Sequence, residues 1–367
     1  MPRLPAFGAR GLPRPAIATF AVVLSTLVVL TTTPWSGGSA KLRLERSTRA
    51  HATPTTTTAT SSTTTSANVA PTSTVTTSAS TTTSTTTSTV ARSGAPASAA
   101  PPPPPTTTTT TPGGACSDPS GQCLPPTPAG YSPVCLDDFT VDAPMGSWND
   151  PTGTGNAVVY TGDHGCKWTE YPDGWPSTYT NGQPGYEPSQ VLSVHNGVLD
   201  FYLHDVNGLP AGANPSPILS NTGSRYQTYG IYEIRAKVVY DDSYRLDDYY
   251  IAWLLWPQDD GNWQYAESDF PEANLADNQV CAYAHYGGSG SQDQFCTNVD
   301  FTQWHTYTQV WGPGYRSYYL DGQLIGTSTN QVWDQPERWQ IQTEPSGMND
   351  GDSGHVLVDW VAVYAPG

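Results

Sequence analysis

Positive charge is scarce in this chain. Its 367 residues hold 15 Lys and Arg against 32 Asp and Glu, a net charge of −17. Eight of the bases and a single acid fall in residues 1–115, so residues 116–367 carry seven bases, 31 acids and a net charge of −24. A surface that negative repels phosphate backbones and anionic lipids. It argues against nucleic-acid binding and makes sulfated or phosphorylated polymers poor substrates. Aromatic residues are nearly absent from residues 1–115, which hold only Phe7, Phe20 and Trp35 of the 40 in the chain. No packed core forms there. The other 37 lie in residues 116–367, a stretch long enough for one large core.

No apolar run reaches the roughly 20 residues of a membrane-spanning helix. Residues 16–30 come nearest, preceded by Arg3, Arg10 and Arg14. Fifteen apolar residues behind basic ones fit the core of a signal peptide, with Gly38 and Ala40 offering a cleavage site. Residues 1–40 are therefore read as a signal peptide, the alternative being an uncleaved signal anchor. Residues 41–115 are a linker, almost wholly Thr, Ser, Ala and Pro from Ala52 to Pro112. Such a segment buries too little apolar surface to offset its ordering entropy, and it reads as a disordered, O-glycosylated spacer. The expected location is secreted or cell-surface, with no membrane contact beyond an N-terminal anchor. Residues 116–367 form the folded domain.

Several catalytic signatures are missing. There is no G-x-S-x-G, no G-x-x-x-x-G-K-[ST], no G-x-G-x-x-G and no H-E-x-x-H, so nucleotide, nicotinamide and catalytic-zinc chemistries have no support. The six cysteines are Cys116, Cys123, Cys135, Cys166, Cys281 and Cys296. Their closest spacing is C-x₆-C, too wide for a zinc pair, and an even number in an exported domain reads as disulfides. Cys281 and Cys296 bracket a Gly/Ser-rich stretch, residues 287–291, and are expected to pair across a long loop beside His285. Such a bridge contributes about 3 kcal/mol on loop length alone. The remaining pairs are set down as Cys116 with Cys123 and Cys135 with Cys166, although six cysteines allow 15 connectivities.

Strand patterns fill the domain. In residues 231–240 one alternate set reads Ile, Glu, Arg, Lys, Val and the other Tyr, Ile, Ala, Val, Tyr, which predicts a strand with one wet face. Residues 315–320 and 323–327 flank Asp321-Gly322, a dipeptide suited to a two-residue type I′ hairpin. Residues 356–364 close the chain as another strand. Many short strands without a visible repeat predict an all-β sandwich or jelly roll rather than a propeller or solenoid.

Chemistry concentrates in Glu267-Ser268-Asp269-Phe270-Pro271-Glu272. With seven Glu and 24 Asp in the domain, E-x-D-x-x-E arises by chance roughly 0.02 times. Glu267 and Asp269 share a strand face. Glu272 joins them only if a β-bulge absorbs one residue, and Pro271 sits where that bulge belongs. Phe270 then feeds the core. Clustered carboxylates repel, so at least one pKa rises, which suits a general acid. A calcium site or a solvated acidic edge is the alternative. Trp253, Trp256, Trp263, Tyr265 and His285 around the motif argue against an edge.

This motif resembles the bulged active-site strand of glycoside hydrolase family 16 in its laminarinase-like members. The resemblance spans about residues 135–366. It extends through Gly230-Ile231-Tyr232-Glu233-Ile234-Arg235-Ala236-Lys237, Ala252-Trp253-Leu254-Leu255-Trp256-Pro257 and Ala284-His285-Tyr286-Gly287. Trp304-His305-Thr306-Tyr307, Tyr318-Tyr319-Leu320-Asp321-Gly322 and Val358-Asp359-Trp360-Val361-Ala362-Val363-Tyr364 follow in order. The resemblance implies a concanavalin-like β-sandwich jelly roll, with Glu267 as nucleophile, Glu272 as acid/base and Asp269 orienting and tuning the pair. Ser268 departs from the pattern, standing where an aliphatic residue is usual, and is expected to face the core at some cost in packing.

Sugar rings stack on indole and phenol faces. Trp263 is the expected subsite wall, Tyr265 a cleft residue and Trp253 a core residue. His285 resembles a cleft histidine that bonds a sugar hydroxyl, and Gln342 and Glu344 reach the cleft from a neighbouring strand. Asp359 resembles a calcium ligand, the ion being structural, with no cofactor for catalysis. The implied activity is that of an exported, monomeric, endo-acting β-glycan hydrolase on a neutral polysaccharide. β-1,3- or mixed-linkage β-glucan is favoured, cleaved by retaining double displacement. The alternatives are a transglycosylase using the same residues and a carbohydrate-binding domain without turnover.

Overall fold

The computed structural model describes residues 118–367 except residues 181, 242, 244 and 348–350. The expected signal peptide, the linker and Cys116 lie outside the described residues. All described residues belong to one compact unit.

Alternation of apolar and polar residues builds two antiparallel sheets that share a core. A six-stranded sheet runs in the order Tyr226–Gln227, Glu337–Pro345, Tyr249–Pro257, Ser268–Asn274, Gln279–Tyr286, Ser291–Asn298. A nine-stranded sheet runs from Gln323–Ser328 through Tyr315–Leu320, His305–Gly312, Gly230–Tyr240, Gly354–Pro366 and Val198–Val206 to Leu192–His195. Tyr131–Asp137 and Leu209–Ala211 pair off that path. Ile251, Trp253, Leu255, Phe270, Ala282 and Ile341 from the first sheet meet Ile234, Val238, Tyr307, Tyr318 and Val358 from the second. Trp253 and Phe270 both meet the Tyr307 ring edge-on, at 5.9 and 5.8 Å between centroids. The all-β jelly-roll sandwich expected from the strand patterns is the fold.

The hairpin forms where the Asp-Gly turn places it. Asp321 and Gly322 have φ of 50° and 75°, the left-handed pair that a type I′ turn needs. Asp321 also accepts a hydrogen bond from the Thr306 backbone N–H at 2.8 Å and contacts His305 Nδ1 at 2.7 Å, tying the turn to the preceding strand.

One strand departs from expectation. The face of Gly230–Tyr240 read as wet is partly dry, because Ile231 and Glu233 are buried. A second apolar cluster of Ile231, Val310, Tyr319, Trp360, Ala362 and Tyr364 covers that face, with Leu124, Tyr131 and Leu136 packed on it from the start of the domain. Glu233 accepts a hydrogen bond from Thr308 Oγ1 at 3.0 Å, and burial raises its carboxyl to about 7.

Two disulfides join described cysteines, Cys135–Cys166 and Cys281–Cys296. The second is a cross-strand rung, since Cys281 lies directly opposite Cys296 in the hairpin. It was expected to clamp a long loop beside His285. The two strands run further than expected and leave only residues 287–290 between them, so His285 pairs with Gln292 near the turn while Cys281 pairs with Glu272 at the other end. Among the described residues no helix is long and apolar enough to cross a membrane.

Candidate active site

The strand Ser268–Asn274 presents acids on its outer face and packs its inner face into the core. Its register against both neighbours slips by one residue between Asp269 and Glu272. Asp269 lies opposite Leu254 and Glu272 opposite Ala252, so Phe270 and Pro271 together face Trp253 alone. The other neighbour shows the same slip, with Tyr283 opposite Asp269 and Cys281 opposite Glu272. This two-against-one count is a β-bulge. It keeps Asp269 and Glu272 on the outer face while Phe270 enters the core, 2% exposed. Glu267 precedes the strand as the C-cap of the short helix Trp263–Ala266, and its carbonyl accepts the His285 backbone N–H at 2.9 Å.

A cavity of about 370 Å³ opens over these acids. Glu267, Asp269, Glu272, Trp263, His285, Gln342 and Glu344 line it, together with Thr178, Tyr179, Tyr250, Ala252, Tyr283 and Gln292. Trp263, 37% exposed, stands edge-on to His285 with ring centroids 5.8 Å apart. Gln342 donates to Glu344 Oε1 at 3.0 Å. Trp253 is in the core. Tyr265, expected in the cleft, is 44% exposed and packs its ring against the Gly288 backbone, outside the cavity lining. Tyr250, Tyr283, Thr178, Tyr179 and Gln292 were not anticipated. Alternation signals the first, since Tyr250 lies three residues from the buried Trp253 and so on the opposite face. Thr178 and Tyr179 come from a segment about 90 residues upstream of the motif, and nothing in the local sequence links them to it.

Burial and mutual repulsion set the electrostatics. Burial, then the charge of Glu272, raises Glu267 to about 8, and a hydrogen bond with Asp269 opposes the rise. Burial and the charges of Glu267 and Glu272 push Asp269 well above the carboxylate range, against the pull of Arg316. Asp269 is the more enclosed of the two, with its side chain 4% exposed against 18% for Glu267. A proton shared between them therefore favours Asp269, whose O–H then donates a hydrogen bond to Glu267 while Glu267 stays ionised. His285 Nε2 lies 3.9 Å from both Glu267 Oε2 and Asp269 Oδ2. Burial lowers this imidazole to about 4, so it is neutral at ordinary pH and not a cation. Glu267, Asp269 and His285 offer ligand atoms within 4.8 Å of one another, a set that a divalent cation can also bridge.

Ser268 was expected to cost packing. It is fully buried, and its hydroxyl is 2.7 Å from Tyr318 OH and accepts Gln309 Nε2 at 2.6 Å. A hydrogen-bonded pocket under the acidic strand replaces aliphatic contact. Nearby, Arg316 donates to the buried Glu337 at 2.7 Å and stacks over Trp311.

Asp359 stands apart from the cleft, on the strand Gly354–Pro366 of the other sheet. Ser120 Oγ donates to its Oδ2, while its Oδ1 is buried without a hydrogen-bond partner. Burial raises this carboxyl to about 6. A buried, unpartnered carboxylate oxygen is a donor that a hard cation would use.

Neither a family model nor a curated protein matches the chain. Solved structures do. An endo-1,3-β-glucanase from Streptomyces sioyaensis is 19% identical, the match covering 66% of this chain and 99% of that one, with a TM-score of 0.50. A laminarinase from Rhodothermus marinus is also 19% identical, over 64% of this chain and 97% of that one, with a TM-score of 0.47. A non-specific endo-β-1,3(4)-glucanase of family 16 is 18% identical, over 65% and 93%, with a TM-score of 0.48. The Streptomyces likeness sets the class of fold, a β-sandwich jelly roll of the kind that β-glucan hydrolases use.

The acidic cluster should lower stability in a pH-dependent way. Burial and mutual repulsion raise both Glu267 and Asp269, so folded chains bind the proton these two acids share more tightly than unfolded ones, and stability falls as pH rises from about 4.5 to about 8. Glu267→Gln should therefore be more stable than the parent at pH 8, by on the order of 1 kcal/mol. The gain should fade towards pH 4.5. Thermal unfolding of both proteins at the two pH values checks this, and a difference independent of pH would contradict it.

Proposed function

We propose that this chain is an exported endo-acting β-glycan hydrolase of the family 16 type, working with retention on β-1,3- or mixed-linkage β-glucan. The observation that supports it most is the bulge, which keeps Asp269 and Glu272 of one strand on the face of the cavity that Glu267, just before that strand, also lines. In this proposal Glu267 attacks the anomeric carbon and Glu272 protonates the departing oxygen. Asp269 keeps its proton, hydrogen-bonded to Glu267, through the first displacement and so holds the nucleophile in place. Glu272, then ionised, takes the proton of the incoming water and the glycosyl-enzyme is hydrolysed. Trp263 supplies a stacking surface, His285 and Gln342 polar contacts. A retaining pair works at about 5–5.5 Å between carboxyl groups, too close for an intervening water. Two acids five residues apart on an unbent strand would have Cα atoms roughly 16–17 Å apart, so the proposal requires the bulge and the two long side chains to bring them together.

Residues 1–40 serve as the signal peptide and residues 41–115 as a spacer in this proposal, with the domain working as a monomer at or beyond the cell surface. The two disulfides fit an oxidising compartment. Catalysis takes no cofactor. A structural calcium ion, held in part by Asp359 Oδ1, would offset the cost of burying that carboxylate, with carbonyl oxygens completing its shell.

Proton NMR of the first product from a soluble β-glucan tests the mechanism. A β-anomer appearing first is the expected result, and an α-anomer would remove Glu267 as nucleophile. Glu267→Ala should lose turnover, and azide should partly restore it on an activated substrate, giving the α-azide. Chelation should lower the unfolding temperature, with calcium restoring it, while the initial rate of the folded enzyme is unchanged. Asp359→Asn should abolish the calcium response. An unfolding temperature indifferent to chelator would rule out the ion, and a rate that falls with chelation at constant fold would point to a metal at the acids.

A further inference from the structure

We infer that Tyr250 is a positioning residue for Glu272, its hydroxyl donating a hydrogen bond to Glu272 Oε1 and so setting how that carboxyl is presented to the cleft. The inference rests on the reading of Glu272 as acid/base and deepens it. Ala252 lies directly opposite Glu272 on the neighbouring strand. Its small side chain leaves room for Tyr250, two residues away on the same face, to reach across.

The tyrosine is itself held. The Tyr179 ring meets it edge-on, with centroids 6.2 Å apart and planes at 71°. Tyr179 follows Thr178, whose backbone N–H donates to Glu344 Oε2 at 2.9 Å. The Tyr186 hydroxyl donates to the same oxygen at 2.8 Å, and Gln342 to Oε1 at 3.0 Å. Glu344, 1% exposed, pairs with Tyr250 across the adjacent strands. One buried carboxylate thus fastens a wall of the cleft to its floor, and the next residue of that wall braces the tyrosine that holds Glu272.

The hydrogen bond has a chemical consequence. A carboxyl whose Oε1 is engaged by a donor passes its proton through Oε2, which fixes the direction of transfer. A donor also favours the carboxylate over the acid. It therefore opposes Glu267 and Asp269, whose charges favour the acid. Tyr283 faces Glu272 from the strand Gln279–Tyr286, and His285 lies beyond Asp269. Burial and the charge of Glu272 push the Tyr250 hydroxyl far above the ordinary phenol range, so it is a donor at any working pH.

Tyr250→Phe removes the hydroxyl and keeps the ring. On a soluble β-glucan, the alkaline limb of kcat/KM against pH should move up by about one unit, since the acid loses a donor to its ionised form. The plateau should fall by about tenfold or more, because the carboxyl is no longer held in line. On an aryl β-glycoside with a good leaving group the first-step burst should change far less, acid assistance being least needed there. Tyr179→Ala, which removes only the brace, should shift the limb the same way by a smaller amount. An unmoved limb in Tyr250→Phe, with equal losses on both substrates, would overturn the inference and leave Tyr250 as a packing residue. Glu272→Ala in parallel separates the two levels. If azide restores its turnover on the activated substrate as the β-azide, Glu272 is the acid/base and the Tyr250→Phe result bears on Tyr250 alone. If azide does nothing, the reading of Glu272 fails and the inference falls with it.

Discussion

Glu267, Asp269 and Glu272 can act together only because one extra residue is absorbed between the second and the third. A regular strand alternates faces at every residue, so Glu272 would otherwise project into the sandwich core, where an unpaired carboxylate is prohibitively unfavourable in free energy. Phe270 and Pro271 opposite Trp253 absorb the odd residue. The bulge in turn depends on what lies beneath it. Phe270 is wedged between Tyr307 and Tyr318, at 5.8 and 5.7 Å between ring centroids, and Ser268 is bonded to Tyr318 and Gln309. Aromatic packing and a small polar pocket anchor the inner face so that the outer face can carry acids.

That arrangement stores an electrostatic cost. Three carboxylates line one cavity in a domain that already carries a net charge of −24, and burial raises the affinity of Glu267 and Asp269 for protons. In the proposed mechanism, folded stability is given up where the chemistry needs acids with unequal proton affinity, the trade that active sites commonly make. Arg316 is the buried cation that acts on Asp269, but its charge is largely committed to Glu337. The cluster is thus left under-compensated, and a proton held among its members is the natural way to relieve it.

The sandwich, the type I′ hairpin and the bulge were legible in the sequence because each rests on local rules: alternation, the Asp-Gly dipeptide, and Pro at a strand irregularity. The acidic motif was legible for its rarity. What failed was long-range. The covered face of Gly230–Tyr240 depends on Leu124, Tyr131 and Leu136, about 100 residues away. The position of the Cys281–Cys296 rung depends on strand length, which alternation marks poorly around glycines and serines. Tyr265 stands on Gly288, not over the cleft, because a one-turn helix sets its direction. The wall residues Thr178 and Tyr179 come from an irregular segment with no periodicity to place them. Ser268 looked like a flaw until its partners, 41 and 50 residues downstream, were in view.

The central claim is that Glu267 forms a covalent bond to the sugar, and trapping that bond tests it most directly. A 2-deoxy-2-fluoro β-glucosyl or β-laminaribiosyl donor with a good leaving group slows both displacements by destabilising the oxocarbenium-like transition state, yet the leaving group still lets the first proceed. Mass spectrometry of the intact protein, followed by peptide mapping, should find one added glycosyl unit, carried on Glu267, and no labelling in Glu267→Gln. A label on Glu272 or Asp269, or none while the donor is still turned over, would contradict the account.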